Sequence, residues 1–310
     1  MTAAIELDGL TKVYGAVRAL DDVDLAVEEG AVHGFLGPNG AGKTTTLRIL
    51  GGLASPTSGS ARIFGRPAGS AEARGYSGYL PDVPGFYDWM TAEEFLRFAG
   101  RLFGLAGATL DERVRVLLDL SGLSEVSSRV GGFSRGMKQR LGIAQALVNA
   151  PRVLMLDEPT SALDPIGRRD VLEMIASLAG RTTVFFSTHI LADVERVCES
   201  VTVLDRGRVV AEAPIAELKS RYASRRLLLE VEGDPAPVER ALSGAAWLTG
   251  TRRTADGALS LTVTDARAAG REIPSIVSAA GLSLLRYESG EVGLEEVFVD
   301  LVGREGGDDR

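Results

Sequence analysis

Hydrophobic and polar positions change rhythm several times along the 310 residues of this chain. Residues 3–30 alternate, and ELDGLTKVYG and ALDDVDLAVEEG are punctuated by Gly and Asp, which predicts short antiparallel strands. Three later runs are short and almost continuously apolar: Ala31–Gly37, Val153–Leu156 and Val184–Ser187. Such runs predict parallel strands covered on both faces. Between them, residues 88–150 take on helical spacing. Thr91 and Glu94 form a capping box ahead of EFLRFAGRLFG, and DERVRVLLDLSGL keeps the helical period. GMKQRLGIAQALVNA predicts a helix stopped by Pro151. KTTTLRILGGL predicts another, and Asp164 and Pro165 supply a cap and first residue for a helix reaching Leu178. SVTVLDRGRVVAE predicts a hairpin that turns at Asp205–Gly207.

About Tyr222 the pattern changes again. RRLLLEVEG, WLTGTRRT, ALSLTVTD and LSLLRYES predict four strands, with PVERALSG and ARAAGREIPSIVSAAG as helices between them. That order, β-α-β-β-α-β, predicts a small α+β domain of ferredoxin-like type. The expected organisation is an α/β domain over residues 1–220, with a mixed sheet core, an antiparallel β subdomain and a helical subdomain at about 88–150. A small α+β accessory domain follows over 221–303, closing on a short helix GLEEVFVDLVG, and 304–310 is a tail. The second domain carries no catalytic constellation and is expected to act as a spacer or dimer support.

Composition narrows the function classes. A net charge of −8 argues against a nucleic-acid binder driven by phosphate neutralisation, and against docking on anionic lipid through a basic patch. No run of eighteen or more apolar residues occurs, so a role at a membrane needs another chain as anchor. MTAAIELDGL lacks the basic and apolar regions of a signal peptide. The single cysteine, Cys198, excludes an intrachain disulfide and fits a reducing cytosol.

The candidate chemistry lies at the ends of the apolar runs. Gly37, Pro38, Asn39, Gly40, Ala41, Gly42, Lys43 and Thr44, with Thr45 behind them, fit the G-x-x-x-x-G-K-[ST] phosphate loop. Glycines let backbone N–H groups converge on a triphosphate, and the following helix adds the positive end of its dipole. Lys43 is expected at the β- and γ-phosphates and the Thr44 hydroxyl on Mg²⁺. Val153–Leu156 ends in Asp157 and Glu158. Two carboxylates at the end of a buried strand are costly without a task. Asp157 is expected to hold Mg²⁺ and Glu158 to activate the attacking water as general base. His189 follows the third run and is a candidate γ-phosphate contact, whereas His33 sits inside a strand and reads as structural.

GPNGAGKT, FSRGMKQR and VLMLDEPTSALD, in this order, resemble the nucleotide-binding subunit of an ATP-binding cassette (ABC) transporter over about residues 4–218. The resemblance implies a P-loop ATPase fold of ABC type. Tyr14 matches the aromatic residue that stacks on adenine. Ser134, Arg135, Gly136 and Met137 match the signature loop, which binds the γ-phosphate of ATP held by the opposite protomer. Ser161 and Asp164 belong to the loop crossing the dimer interface, and Glu158 and His189 match the base and the switch histidine. Asp82 stands where the family usually has glutamine, in a loop that contacts both the metal site and the membrane subunit. The signature reads FSRGM rather than LSGGQ. Such signatures, with an acidic residue at the Asp82 place, resemble ATPases of ABC-2-type exporters of drugs, antibiotics, sodium or polysaccharides. The resemblance implies ATP and Mg²⁺ as cofactors, a dimer with a second copy of this chain or a close relative closed around ATP, a separate ABC-2-type permease, and a cytoplasmic place on the inner face of the cell membrane. The rival readings are a soluble ABC-type ATPase acting on nucleic acid or ribosomes, and a nucleotide-dependent regulator that does not turn over.

Overall fold

The computed structural model describes residues 3–161, 163–218, 226–254 and 257–289. The chain divides into two compact units, Met1–Ile215 and Ala216–Arg310.

The first unit opens with two twelve-residue strands, β1 (Ala3–Tyr14) and β2 (Val17–Glu28), paired antiparallel. They are longer than the short strands expected from their Gly and Asp punctuation. Gly9 and Asp22 do not end the strands; both take left-handed φ, 55° and 56°, near shifts in register. A polar break in the pattern is thus absorbed as a bulge. β4 (Ser58–Ile63) and β5 (Arg66–Pro67) complete this sheet in the order β2-β1-β4-β5.

The second sheet has six strands in the order β10-β9-β3-β8-β7-β6. β3 (Val32–Leu36), β6 (Ser77–Leu80), β7 (Val153–Asp157), β8 (Thr183–Thr188) and β9 (Ser200–Asp205) run parallel. β10 (Arg208–Pro214) pairs antiparallel with β9 across the expected hairpin turn. Every residue of β3, β7 and β8 is buried, as their unbroken apolar runs require. Leu154, Met155 and Leu156 have no exposed surface, so truncating any of them to Ala costs about 2–5 kcal/mol. One core joins the two sheets through Ile5, Leu20, Phe35, Leu47, Phe185 and Leu204. His33 belongs to this interior: it is 2 % exposed, its ring nitrogens lie 2.8 Å from Ser200 Oγ and 2.8 Å from Thr202 Oγ1, and burial pushes its pKa down to about 4.

The helices position the loops. α1 (Lys43–Leu50) follows β3 directly, and α2 (Ala71–Gly75) precedes β6. α3 (Ala92–Leu102) starts at the expected capping box, α4 (Gly107–Leu120) follows, and α5 (Arg135–Ala146) starts at Ser134. α5 ends well before Pro151, contrary to the expected stop. The chain tightens at Leu147, whose N–H bonds to the carbonyls of both Ile143 and Ala144, and turns again at Ala150 with φ 52°. α6 (Pro165–Ala176) is capped by Asp164 and ends two residues short of Leu178; α7 (Leu191–Val197) follows β8.

The second unit has the order strand β11 (Arg226–Val231), helix Ala236–Leu242, strands β12 (Leu248–Arg253) and β13 (Leu259–Val263), helix Ala266–Ala279, strand β14 (Leu284–Ser289). Its antiparallel sheet runs β12-β13-β11-β14, the ferredoxin-like arrangement. Leu229, Leu261, Ile273, Val277 and Trp247 share its core, and Trp247 Nε1 donates to Glu272 at 2.8 Å. The helix expected at GLEEVFVDLVG and the tail at 304–310 lie outside the described residues.

Candidate functional site

β3, β8 and β7 are parallel neighbours, so their carboxyl ends meet at one edge of the sheet. Open α/β sheets bind ligands at that edge. β3 leads there into the Gly37–Thr44 loop, β7 into Glu158, and β8 into His189. A backbone bond from Gly37 N–H to Thr188 O, 3.3 Å, ties the first of these loops to the end of β8.

The loop needs its glycines. A Cβ at Gly37 would lie 2.3 Å from Leu204 O, and one at Gly42, where φ is +112°, would lie 2.6 Å from Ala19 O. Gly42 then starts α1, and Thr46 N–H bonds to its carbonyl at 3.0 Å. Lys43 is 6 % exposed. Its ammonium donates to Gly37 O at 2.8 Å and to Pro38 O at 3.2 Å, and pairs with Glu158 Oε1 at 3.2 Å.

Asp157 is buried with hydroxyls as its partners. Ser187 Oγ donates to its Oδ1 at 2.7 Å and Thr44 Oγ1 donates to the same oxygen at 3.1 Å. Burial pushes its carboxyl above the ordinary range; the two hydroxyls pull the other way, and the charges of Asp82 and Glu158 add to the rise. Tyr79, beneath them, is pushed up to about 12, mainly by burial and then by the Asp157 charge.

Glu158 lies in left-handed backbone, φ 48°. Such a conformation costs a non-glycine residue about 1–3 kcal/mol and persists where surroundings hold it. Ser187 holds it here: the Glu158 N–H lies 3.1 Å from both the carbonyl oxygen and the Oγ of Ser187. With its Oε1 on Lys43, Glu158 places its other oxygen 2.8 Å from His189 Nδ1. One carboxylate therefore bridges the phosphate-loop lysine and the histidine.

Asp82, just beyond β6, accepts from Ser161 Oγ at 3.2 Å. Tyr14 sits at the end of β1, 47 % exposed, with Lys12 Nζ 4.7 Å from its ring centroid. Ser134 caps α5, its Oγ accepting from Met137 N–H at 3.2 Å, and Arg135 is exposed. No hydrogen bond or ion pair among the described residues joins Ser134–Met137 to the Lys43–Glu158 cluster. The sequence reading passed over four residues: Ser187, which holds Asp157 and Glu158, and Thr160, Arg168 and Asp193, a network of two buried side chains and one half-buried arginine. The available signal was polar character at buried spacing, as with Ser187 in an otherwise apolar run.

Sheet, phosphate loop and paired carboxylates define the class as a P-loop ATPase of the cassette type. The sequence profile for "ABC transporter" matches residues 20–161. The ABC transporter ATP-binding protein YxlF of Bacillus subtilis is 40 % identical over 299 residues, covering 96 % of this chain and 99 % of its own. The daunorubicin/doxorubicin resistance ATP-binding protein DrrA of Streptomyces peucetius is 38 % identical, covering 97 % of this chain and 93 % of its own. Among solved structures, the ATP-binding cassette MJ0796, a post-hydrolysis dimer bound to ADP and phosphate, matches with a TM-score of 0.61 and 28 % identity over 68 % of this chain and 98 % of its own. The chain belongs to the ABC transporter family, as one of its ATP-binding, ATP-hydrolysing proteins.

Proposed function

We propose that this chain powers an exporter: it hydrolyses ATP as a Mg²⁺-dependent homodimer on the inner face of the cell membrane, coupled to a separate permease of ABC-2 type. The observation that carries this is the position of Glu158 between Lys43 and His189, next to the Thr44–Asp157 pair. Kinship with DrrA, a drug-resistance ATP-binding protein, supports export as the direction. No helix among the described residues is long and apolar enough to cross a membrane, so a permease is the natural anchor.

The residues fit Mg²⁺. Asp157 is a 1 % exposed carboxylate whose partners are hydroxyls, and Thr44 presents a second hard oxygen beside it. No group of three or more His, Cys, Asp or Glu closes on a metal among the described residues. That agrees with Mg²⁺, which takes one or two protein oxygens and fills the rest with phosphate and water. When bound, the ion neutralises charge on the transferring phosphoryl group.

In this reading the phosphate-loop N–H groups and Lys43 cradle the β- and γ-phosphates. Glu158 accepts a proton from water as the water oxygen bonds to the γ-phosphorus and the bond to ADP breaks. His189 contacts the γ-phosphate. Tyr14, exposed at the end of β1, stacks on adenine. Ser134 and the backbone from Arg135 to Met137 close over the γ-phosphate held by the opposite protomer. Ser161 and Asp164 line the seam between protomers. An apolar cavity of about 550 Å³, lined by Leu53, Tyr79, Leu102 and Phe103 among others, opens beside β6 just before Asp82. It offers the permease an apolar seat.

The test is phosphate release by the purified protein in Mg²⁺, with Lys43→Ala and Glu158→Gln beside it, and co-purification with the membrane protein encoded next to it. Turnover lost in both variants and a permease that co-purifies supports the proposal. A parent protein inert both alone and with the permease contradicts it.

A further inference from the structure

One buried carboxylate joins three segments that the proposed cycle must move together. Asp193 is 0 % exposed. Its Oδ2 accepts from Thr160 Oγ1, and its Oδ1 lies 2.6 Å from Arg168 Nε. Thr160, 1 % exposed, stands between Glu158 and Ser161 on the turn after β7. Arg168 lies four residues into α6 from the Asp164 cap. Asp193 lies four residues after His189, in the first turn of α7, where its N–H bonds to Ile190 O at 3.1 Å.

The attachment is specific. Each carboxylate oxygen has one partner on a different segment, so neither segment can shift without breaking a hydrogen bond to a carboxylate that is itself fully buried. Such bonds are the strong ones, and a charge left unpaired at full burial is costly. A second ion pair between α6 and α7, Arg196 with Glu173 at 3.4 Å, is 47 % and 62 % exposed and so more screened by water than Arg168 with Asp193, at 32 % and 0 %. Asp193 is therefore the firm link. At one end of the linked body His189 touches Glu158, and at the other Ser161 touches Asp82.

We propose that Asp193 is a positioning residue for ATP-driven dimer closure. It clamps the segment after His189 to the Ser161–Asp164 loop, so that γ-phosphate contact at the histidine is delivered as a displacement of the loop at the dimer seam. This rests on the dimer reading above. Asp193 touches no reacting atom. Its effect runs through Thr160 and Arg168, and removing either bond uncouples nucleotide binding from closure.

The experiment uses the full chain carrying Glu158→Gln, with Asp193→Asn, Arg168→Gln, both together, and Arg168→Lys. Two quantities are read in Mg²⁺: binding of a fluorescent ATP analogue at dilute protein, and ATP-dependent dimerisation by light scattering. The expected result is nucleotide affinity within about twofold of the reference and a dimer dissociation constant raised about tenfold in each single variant. The double variant should be no weaker than the weaker single, because both break one clamp. Arg168→Lys, which keeps the charge, should recover part of the loss.

Nucleotide affinity and dimerisation falling in parallel, additive losses in the double variant, or unchanged dimerisation would each overturn the clamp. If Asp193→Asn does not fold, the two Arg168 variants decide the matter: Gln weak with Lys recovered supports the clamp, and equal behaviour overturns it. A Glu158→Gln chain with Asp193 and Arg168 intact that stays monomeric overturns the dimer reading, and the clamp with it.

Discussion

Lys43 and Glu158 hold each other across the site: Nζ lies 3.2 Å from Oε1, and the two side chains are only 6 % and 12 % exposed. The lysine that would bind phosphate is thus engaged with the carboxylate that would activate water. A triphosphate carries more charge than one carboxylate and competes for the ammonium. In the proposed function, binding the substrate then releases the base.

Lys43→Ala removes a charged hydrogen-bond donor worth about 1.5–3 kcal/mol, so ATP affinity should fall about ten- to hundredfold. Glu158→Gln removes the competitor instead, and ATP affinity should stay level or rise. Its kcat should drop about 10²–10⁴-fold, the usual contribution of a general base. Equilibrium nucleotide binding and single-turnover phosphate release check both. A Glu158→Gln chain with much weaker ATP binding would speak against this competition.

In the proposed dimer Ser134 has two separable roles. As the cap of α5, its Oγ accepts from Met137 N–H at 3.2 Å. Ser134→Ala should cost about 1 kcal/mol in urea unfolding and also weaken ATP-dependent dimerisation. Ser134→Asp keeps a good cap but sets a negative charge against the γ-phosphate. It should unfold near the parent midpoint yet fail to dimerise.

His33 predicts a pH dependence of stability. Burial lowers its pKa from 6.5 to about 4, so between those values the unfolded chain takes up a proton that the folded chain refuses. The stabilisation is complete above 6.5 and is lost as the pH falls to about 4. At about 1.4 kcal/mol per pKa unit it amounts to about 3 kcal/mol. His33→Gln, which can still bond Ser200 and Thr202 but does not titrate, should show a correspondingly shallower decline in urea unfolding over that range.

Asp82 adds a third carboxylate where charge already accumulates, and its charge contributes to the raised pKa of Asp157. Asp82→Asn keeps an oxygen for Ser161 but removes that charge. In a Mg²⁺ titration of fluorescent-nucleotide binding, the midpoint should move to about tenfold higher Mg²⁺, with metal-free nucleotide binding equal or stronger. An unmoved midpoint would place Asp82 outside the metal's field.

Local signals carried much of the fold. The Thr91–Glu94 capping box and the Asp164 cap are sequence patterns that act within one turn, and both form as written. The unbroken apolar runs became the buried parallel strands because burial on both faces demands that composition. Pro151 misled because α5 closes earlier, in a tightened turn at Leu147 whose N–H bonds to the carbonyls of Ile143 and Ala144. Gly9 and Asp22 misled because a bulge and a strand end share the same residues. In the site, Lys43 and Glu158 were legible as motif members, but their mutual contact across 115 positions was not. The left-handed Glu158 is equally silent in sequence, since Ser187 on another strand sustains it. Asp193 escaped for the same reason: its partners lie 25 and 33 residues away.

The account turns on whether ATP joins two copies of this chain through Lys43 on one and Ser134 on the other. The most direct measurement is the molecular mass of Glu158→Gln by light scattering, with and without ATP, in Mg²⁺. The account predicts a monomer that doubles in mass with ATP, and no doubling when Lys43→Ala or Ser134→Asp is added. A mass unchanged by saturating ATP, or a doubling that survives both substitutions, would contradict it.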